Sequence, residues 1–98
     1  MNYSYHPDAQ REVAAAVAYY VTIGPQLGNN FLTELEKSIN RILSMPEAWA
    51  IHIGDTRRCL LHRFPYGVVY LMVPQGIEIV AVTHLHRKPD YWRDRVTA

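Results

Sequence analysis

The residues with the most chemical capacity gather in the second half of the chain. His84 and His86 are two apart at the end of a β-prone run, a spacing that points both imidazoles the same way, and His62 falls in a neighbouring run. Histidine titrates near neutral pH, so this group has the means to move protons. It lacks the paired cysteines or added carboxylate that a zinc site needs, so neither a metal nor a cofactor is expected. Arg57, Arg58, Arg63, Arg87 and Lys88 come from segments that an antiparallel sheet would set side by side, and Tyr66, Tyr70, Tyr91 and Trp92 interleave with them. Arginine beside aromatic rings can hold phosphate and stack a base. It can equally bind a helix that carries acidic and apolar side chains. The residue types leave both readings open. Cys59 alternates with apolar neighbours and reads as a small buried residue.

The elements that position these groups are legible in the pattern. Asn2–Tyr5 alternates and reads as a short first strand. Pro7 suits the first turn of a helix, and Asp8 meets its positive end. Ala9, Val13, Ala16, Val17 and Tyr20 recur at helical spacing, which predicts a helix to about Val21. Gly24-Pro25 ends it, with glycine in a left-handed cap. Leu27, Phe31, Leu35, Ile39, Ile42 and Leu43 form the stripe of a second helix over 26–44. Glu34, Glu36, Lys37 and Arg41 are expected on its solvated face. The short connection makes the two helices an antiparallel hairpin. Trp49 is expected to cap the core from one edge.

Three or four strands follow. Residues 50–53 read as a short strand. The run 57–64 reads as a strand with Cys59, Leu61 and Arg63 on one face and Leu60, His62 and Phe64 on the other. The run 68–73 is apolar throughout and should be central. Pro74-Gln75-Gly76 is a turn. In 77–84, Ile77, Ile79, Ala81 and Thr83 should face one way and Glu78, Val80, Val82 and His84 the other. The fold class is α+β in two layers: an N-terminal strand, then a helical hairpin packed on a 3–4-stranded antiparallel sheet.

At 98 residues the chain is read as one domain, residues 1–98. Its apolar fraction of 49% and charged fraction of 19% argue against disorder. No apolar run reaches the roughly 20 residues of a membrane span, and the N-terminus lacks a secretory pattern. With a single cysteine, a disulfide framework is excluded and a cytoplasmic location is expected. Residues 1–49 carry three basic and five acidic residues, against seven basic and four acidic in 50–98, so positive charge lies in the second half. No Gly-rich phosphate loop, paired-Cys motif or serine nucleophile elbow is present.

Four stretches, AVAYY at 16–20, FLTELEKSINRILSMPEAW at 31–49, RRCLLHRFPYGVVY at 57–70 and IEIVAVTHLHRKPDYWRDR at 77–95, resemble the RelE/ParE superfamily of type II toxin–antitoxin toxins. The likeness is strongest to its ParE-like branch, the plasmid stabilisation proteins. The resemblance implies a bacterial toxin held inactive by a cognate antitoxin whose acidic, amphipathic C-terminal segment wraps it. ParE-type members inhibit DNA gyrase by binding; RelE-type members cut mRNA on the ribosome. In the nuclease reading Arg63 and Arg87 would steady the phosphate, and His84, His86 or Tyr91 would move protons. Nuclease members carry an arginine just before the segment matching 68–70; here that residue is Gly67. The second helix also offers only Lys37 and Arg41. Both departures count against cleavage, and the expected activity is inhibition by binding, with RelE-type cleavage or a non-toxic binding module as the alternatives. Arg57, Arg58, Arg63, Tyr66, Arg87, Lys88, Tyr91 and Trp92 are the expected contacts to antitoxin or target. A hetero-oligomer with the antitoxin is expected, or a homodimer alone.

Overall fold

The computed structural model of the chain describes residues 2–96. Its elements are β1 (Asn2–Tyr5), α1 (Pro7–Ile23), α2 (Pro25–Ser44), β2 (Arg57–Leu60), β3 (Tyr66–Val73) and β4 (Gly76–His84), followed by a 3-10 turn at Arg93–Arg95.

Pro7 opens α1, and the His6 side chain accepts the Asp8 N–H at 3.1 Å. Gly24 alone separates the helices. Its N–H donates to Tyr20 O, and its own carbonyl accepts from Leu27 N–H, both at 3.0 Å. One residue therefore closes α1 and opens α2, which requires an extended backbone (φ −170°, ψ 135°) and not the left-handed cap that the sequence implied. Gly28 lets the helices approach: an added Cβ would stand 2.6 Å from Val21 Cγ2.

The sheet has the order β1-β4-β3-β2. β2, β3 and β4 are antiparallel neighbours, whereas β1 runs parallel to β4, with Asn2 opposite Gly76 and Tyr5 opposite Ile79. The all-antiparallel expectation is thus corrected to a mixed sheet. Parallel pairing needs a long crossover, and here α1, α2, β2 and β3 all intervene between the paired strands. Gly76 fits this site because an added Cβ would lie 2.1 Å from Asn2 O, and because its φ is +140°.

Further expectations change. β2 stops at Leu60, and residues 50–53 contribute only the bridge Ile51↔Arg57. The face alternation holds through buried Cys59 and Leu61, but Phe64 adopts φ +73° and turns into the same core instead of facing away from it. In β4 the register passes from Val69↔Ala81 to Tyr70↔Ile79, so Val80 is an extra residue. This bulge reverses the alternation beyond it. Ile77, Ile79 and Val82 face the helices, while Val80 and Ala81 face the opposite side.

The main core lies between the sheet and the hairpin, with Phe31, Leu35, Ile39 and Ile42 from α2 against Val68, Tyr70, Ile77 and Ile79. Each such side chain contributes about 1.5–3 kcal/mol by burial. Trp49 packs at its margin as expected. A smaller core on the other face holds Val69, Val80, Ala81 and Trp92.

Candidate functional site: a polar hub and an apolar groove

β1 covers β4 only from Gly76 to Ile79, and His6 N–H extends the pairing by one bond to Ile79 O at 2.9 Å. Past that point the chain has turned into α1, so the outer edge of β4 has no strand beside it. Unpaired backbone groups there would be costly. Two side chains replace the strand. Glu12 of α1 accepts the Val82 N–H at 3.0 Å, and Arg95 Nη1 donates to Val80 O at 3.0 Å. The two side chains are joined by a bidentate pair, Arg95 Nη1 to Oε1 at 2.9 Å and Nη2 to Oε2 at 3.0 Å. The Tyr91 hydroxyl also donates to Glu12 Oε2, and Arg87 Nη1 lies 3.5 Å from the same oxygen. One carboxylate therefore ties α1, the β4 edge and the C-terminal segment together.

The electrostatics follow from this arrangement. Burial pushes the Tyr91 phenol up to about 12, and its hydrogen bond to the Glu12 carboxylate adds to the effect. Burial works against the charge of Arg95, but the hydrogen bonds and charge of Glu12 outweigh it and raise its pKa. The Arg87 guanidinium lies 3.7 Å from the Tyr91 ring centroid.

A second carboxylate plays a similar part. Glu34 is buried, and its Oε1 accepts the N–H groups of His62 at 3.0 Å and Arg63 at 3.2 Å. It holds the bend that leads to Phe64, in place of the solvated position expected for it. The sequence reading missed both glutamates as structural groups, although their spacing carries a signal. Glu12 falls three after Ala9 and four before Ala16 on the buried face of α1, and Glu34 falls three after Phe31.

Of the other sequence-derived residues, Arg58, His84, Arg87 and Trp92 line one small pocket of about 70 Å³, and the rest are dispersed. Arg57 Nη1 donates to the carbonyls of Trp49 (2.5 Å) and Glu47 (3.3 Å) and so fastens the 46–49 connection. Arg63 is exposed, with its guanidinium 5.6 Å from the Phe64 ring centroid. Lys88 is exposed, and its carbonyl accepts from Tyr91 N–H. Trp92 is 1% exposed and floors the second core. Tyr66 packs on Phe31, Tyr20 and His84, and burial raises its phenol pKa. His84 and His86 do converge, with ring centroids 5.0 Å apart, but through a turn in which His84 Nδ1 accepts the His86 N–H at 3.1 Å. Among the described residues no three His, Cys, Asp or Glu side chains gather in a metal-holding group. Burial pushes the Cys59 thiol up, against the opposing charge of Arg41.

The other flank of α1 is open. A groove of about 680 Å³, large enough for side chains of a partner, runs between β1 and the helices. Tyr3 and Tyr5 of β1, Val13, Ala14 and Val17 of α1, and Leu32 of α2 line it. Asn40 lines both this groove and a second depression along α2, walled by Lys37, Arg41, Met45 and Trp49.

The family model described as the ParE toxin of the type II toxin–antitoxin system parDE matches residues 3–89. The chain belongs to the ParE toxin family. A solved structure of the chromosomal ParDE toxin–antitoxin system from P. aeruginosa has the same fold, with a TM-score of 0.77 over 88% of this chain and 97% of that one, at 17% identity. No curated protein matches the chain. As a ParE-family member it is the toxin component of a type II toxin–antitoxin system. None of its described helices is long and apolar enough to cross a membrane.

Proposed function

We propose that this ParE-family toxin acts by binding its target, DNA gyrase, and not by cutting RNA. The observation that carries this reading is the engagement of Tyr91, Arg87 and Arg95 by Glu12. A phenol pushed up to about 12 and donating to a carboxylate is a poor proton shuttle at neutral pH. Purified chain titrated into a gyrase supercoiling reaction is expected to inhibit it in a concentration-dependent way. Supercoiling that stays untouched at every concentration would sink this reading.

The partner reading rests on the hairpin groove. A cognate antitoxin would lay the apolar side of an amphipathic segment against Val13, Ala14 and Val17, and its acidic side would meet Lys37 and Arg41 in the adjoining depression. The complex is then a toxin–antitoxin hetero-oligomer in the cytoplasm.

A second reading, ribosome-dependent mRNA cleavage, draws on the convergence of His84 and His86 beside Tyr66. Primer extension on mRNA from induced cells separates the two. Codon-linked cuts would favour cleavage, and unbroken transcripts would remove it.

A further inference from the structure

A strand at the border of a sheet leaves half of its backbone N–H and C=O groups without a neighbour, and folds normally cover, bridge or blunt such a border. This chain closes two of its open stretches by itself. Along β2 the preceding segment supplies the bridge Ile51↔Arg57, and Arg57 Nη1 donates to Trp49 O. Along β4 past Ile79, Glu12 and Arg95 stand in for a strand. The outer side of β1 is the third stretch, and among the described residues no strand lies beside it.

The parallel register fixes which groups are open. Tyr5 stands opposite Ile79, and His6 N–H donates to Ile79 O, so Asn2, Ser4 and His6 turn their backbone groups toward β4. Tyr3 and Tyr5 turn theirs outward, one N–H and one C=O from each. Nothing in the strand, NYSY, discourages pairing: it carries no charge, no proline and no bulge. Depressions flank it. Tyr3 and Tyr5 line the hairpin groove, and Asn2 and Ser4 line a hollow of about 350 Å³. Successive side chains of an added strand would alternate between the two faces of the sheet. The only charges lining the groove and the hollow are the carboxylates of Glu36 and Glu78. An acidic strand is repelled here, and a neutral one fits.

We propose that β1 of a second copy of this chain pairs with this edge, antiparallel about a two-fold axis at Ser4. Tyr3 then stands opposite the partner's Tyr5, and Tyr5 opposite the partner's Tyr3. Each of these pairs exchanges both of its N–H···O=C bonds, so every outward group of both strands is used. Ser4 meets the partner's Ser4 at the axis, in the close pair with roughly 4.5 Å between Cα atoms, where a small side chain fits. The tyrosines of both strands gather on the helix face as cross-strand pairs. Glu78 and the partner's Glu78 are three strand spacings apart, roughly 14 Å, beyond the screening length of physiological salt. One short strand from each chain makes a small interface, so the dimer is weak, with a midpoint on the order of 10–100 µM. The pairing belongs to the chain alone and stands apart from its target.

The test is analytical ultracentrifugation of the full chain from about 1 to about 500 µM, a range that brackets the expected midpoint, with amide hydrogen exchange followed at both ends. Monomer is expected at the low end and dimer at the high end. Exchange should slow with concentration at the Tyr3 and Tyr5 amides and stay unchanged at Ser4, whose N–H already faces β4. Ser4→Lys sets two like charges at the axis and should weaken the dimer about tenfold or more. Tyr3→Pro removes one outward N–H from each copy, leaves the β4 ladder intact and should act in the same direction. Ser4 is exposed, so its lysine variant keeps the fold even if the proline variant does not. Leu60→Lys, at an exposed position of β2, should leave the dimer unchanged. In a parallel sample a synthetic acidic amphipathic peptide is titrated into the chain. Protection of the Tyr3 and Tyr5 amides by that peptide, in a chain that stays monomeric alone, would assign the edge to a strand of another protein and overturn the proposal. So would a chain that is monomeric throughout the range, a dimer that survives Ser4→Lys, or equal weakening by Ser4→Lys and Leu60→Lys.

Discussion

The two flanks of α1 are opposites. On one, Glu12 gathers a backbone N–H, a phenol and two guanidiniums, and every group has its partner. On the other, beginning with the very next residue, Val13, Ala14 and Val17 face an empty groove. The first flank is complete within the chain, and the second opens on a groove whose α1 wall is largely apolar. A buried polar group left without partners is penalised far more than an apolar surface left wet. The fold therefore has to satisfy its polar flank by itself and can leave the apolar flank for another molecule. On the proposed reading of the groove, the part that must always be intact is included in the chain, and the part that the antitoxin would cover is left to bind.

The largest expected effect comes from breaking the polar flank. Glu12→Ala strands Arg95, whose side chain is 14% exposed, and frees the Val82 N–H. Removing one partner of a buried pair costs about 3–5 kcal/mol, a large share of the ~5–15 kcal/mol available to a small domain. Urea denaturation should show the midpoint collapse. A cost below about 1 kcal/mol, the range of an exposed ion pair, would mean that the flank is not the closed structure described.

Next in size is the open flank. Ala14→Asp places a charge in the groove at an exposed helical position. The helix-propensity cost is at most about 0.7 kcal/mol, whereas affinity for the antitoxin segment should fall by a factor of about thirty, the range of an interface hot spot. Calorimetry on the variant, with thermal unfolding of the same sample, checks both halves. Affinity that holds while stability drops would reverse the assignment of this flank.

Glu34→Gln sharpens the contrast, because it keeps the shape and removes the charge that accepts two backbone N–H groups. A loss of about 1–2 kcal/mol is expected, with hydrogen exchange accelerated at His62 and Arg63 and unchanged at Val82. Exchange that rises evenly across the chain would show that Glu34 does not act on this bend.

The last effect is confined to high pH. Tyr5, Tyr70 and Tyr91 are each raised from 10.0 to about 12, by burial first. The folded state holds these protons more tightly than the unfolded chain does. Their contribution is therefore whole below pH 10 and is lost as pH climbs through about 12. Tyrosinate absorbance should appear together with cooperative unfolding in that window. Tyr91→Phe should remove only its own share. Tyrosinate forming near 10 with the fold intact would contradict the burial of these phenols.

Helices α1 and α2, the hairpin and the apolar strands β3 and β4 could be read from periodicity, because each is encoded by neighbours in sequence. Asn2–Tyr5 was legible as a strand, but its direction was not, since its partner lies more than seventy residues away. The Val80 bulge was hidden because all of its neighbours are apolar, and an apolar run gives no phase. Glu34 was expected on a solvated helix face, and Glu12 was not singled out at all. Their partners are backbone N–H groups 70 and 28 residues on, and a backbone group leaves no mark in a sequence. Arg57, Arg58, Arg63 and Arg87 read as one basic surface, whereas in the fold Arg57 fastens the 46–49 connection, Arg63 lies by Phe64, and only Arg58 and Arg87 share a pocket.

The most direct test of the account is growth after tightly controlled induction of the chain and, in parallel, of its Tyr91→Phe variant, with nucleoid DNA breaks and mRNA integrity read from the same cultures. If the toxin acts by binding and Tyr91 serves the Glu12 hub, both cultures arrest with broken DNA and intact mRNA. Cut mRNA in the wild type, with growth restored by Tyr91→Phe while the variant stays soluble and folded, would contradict it.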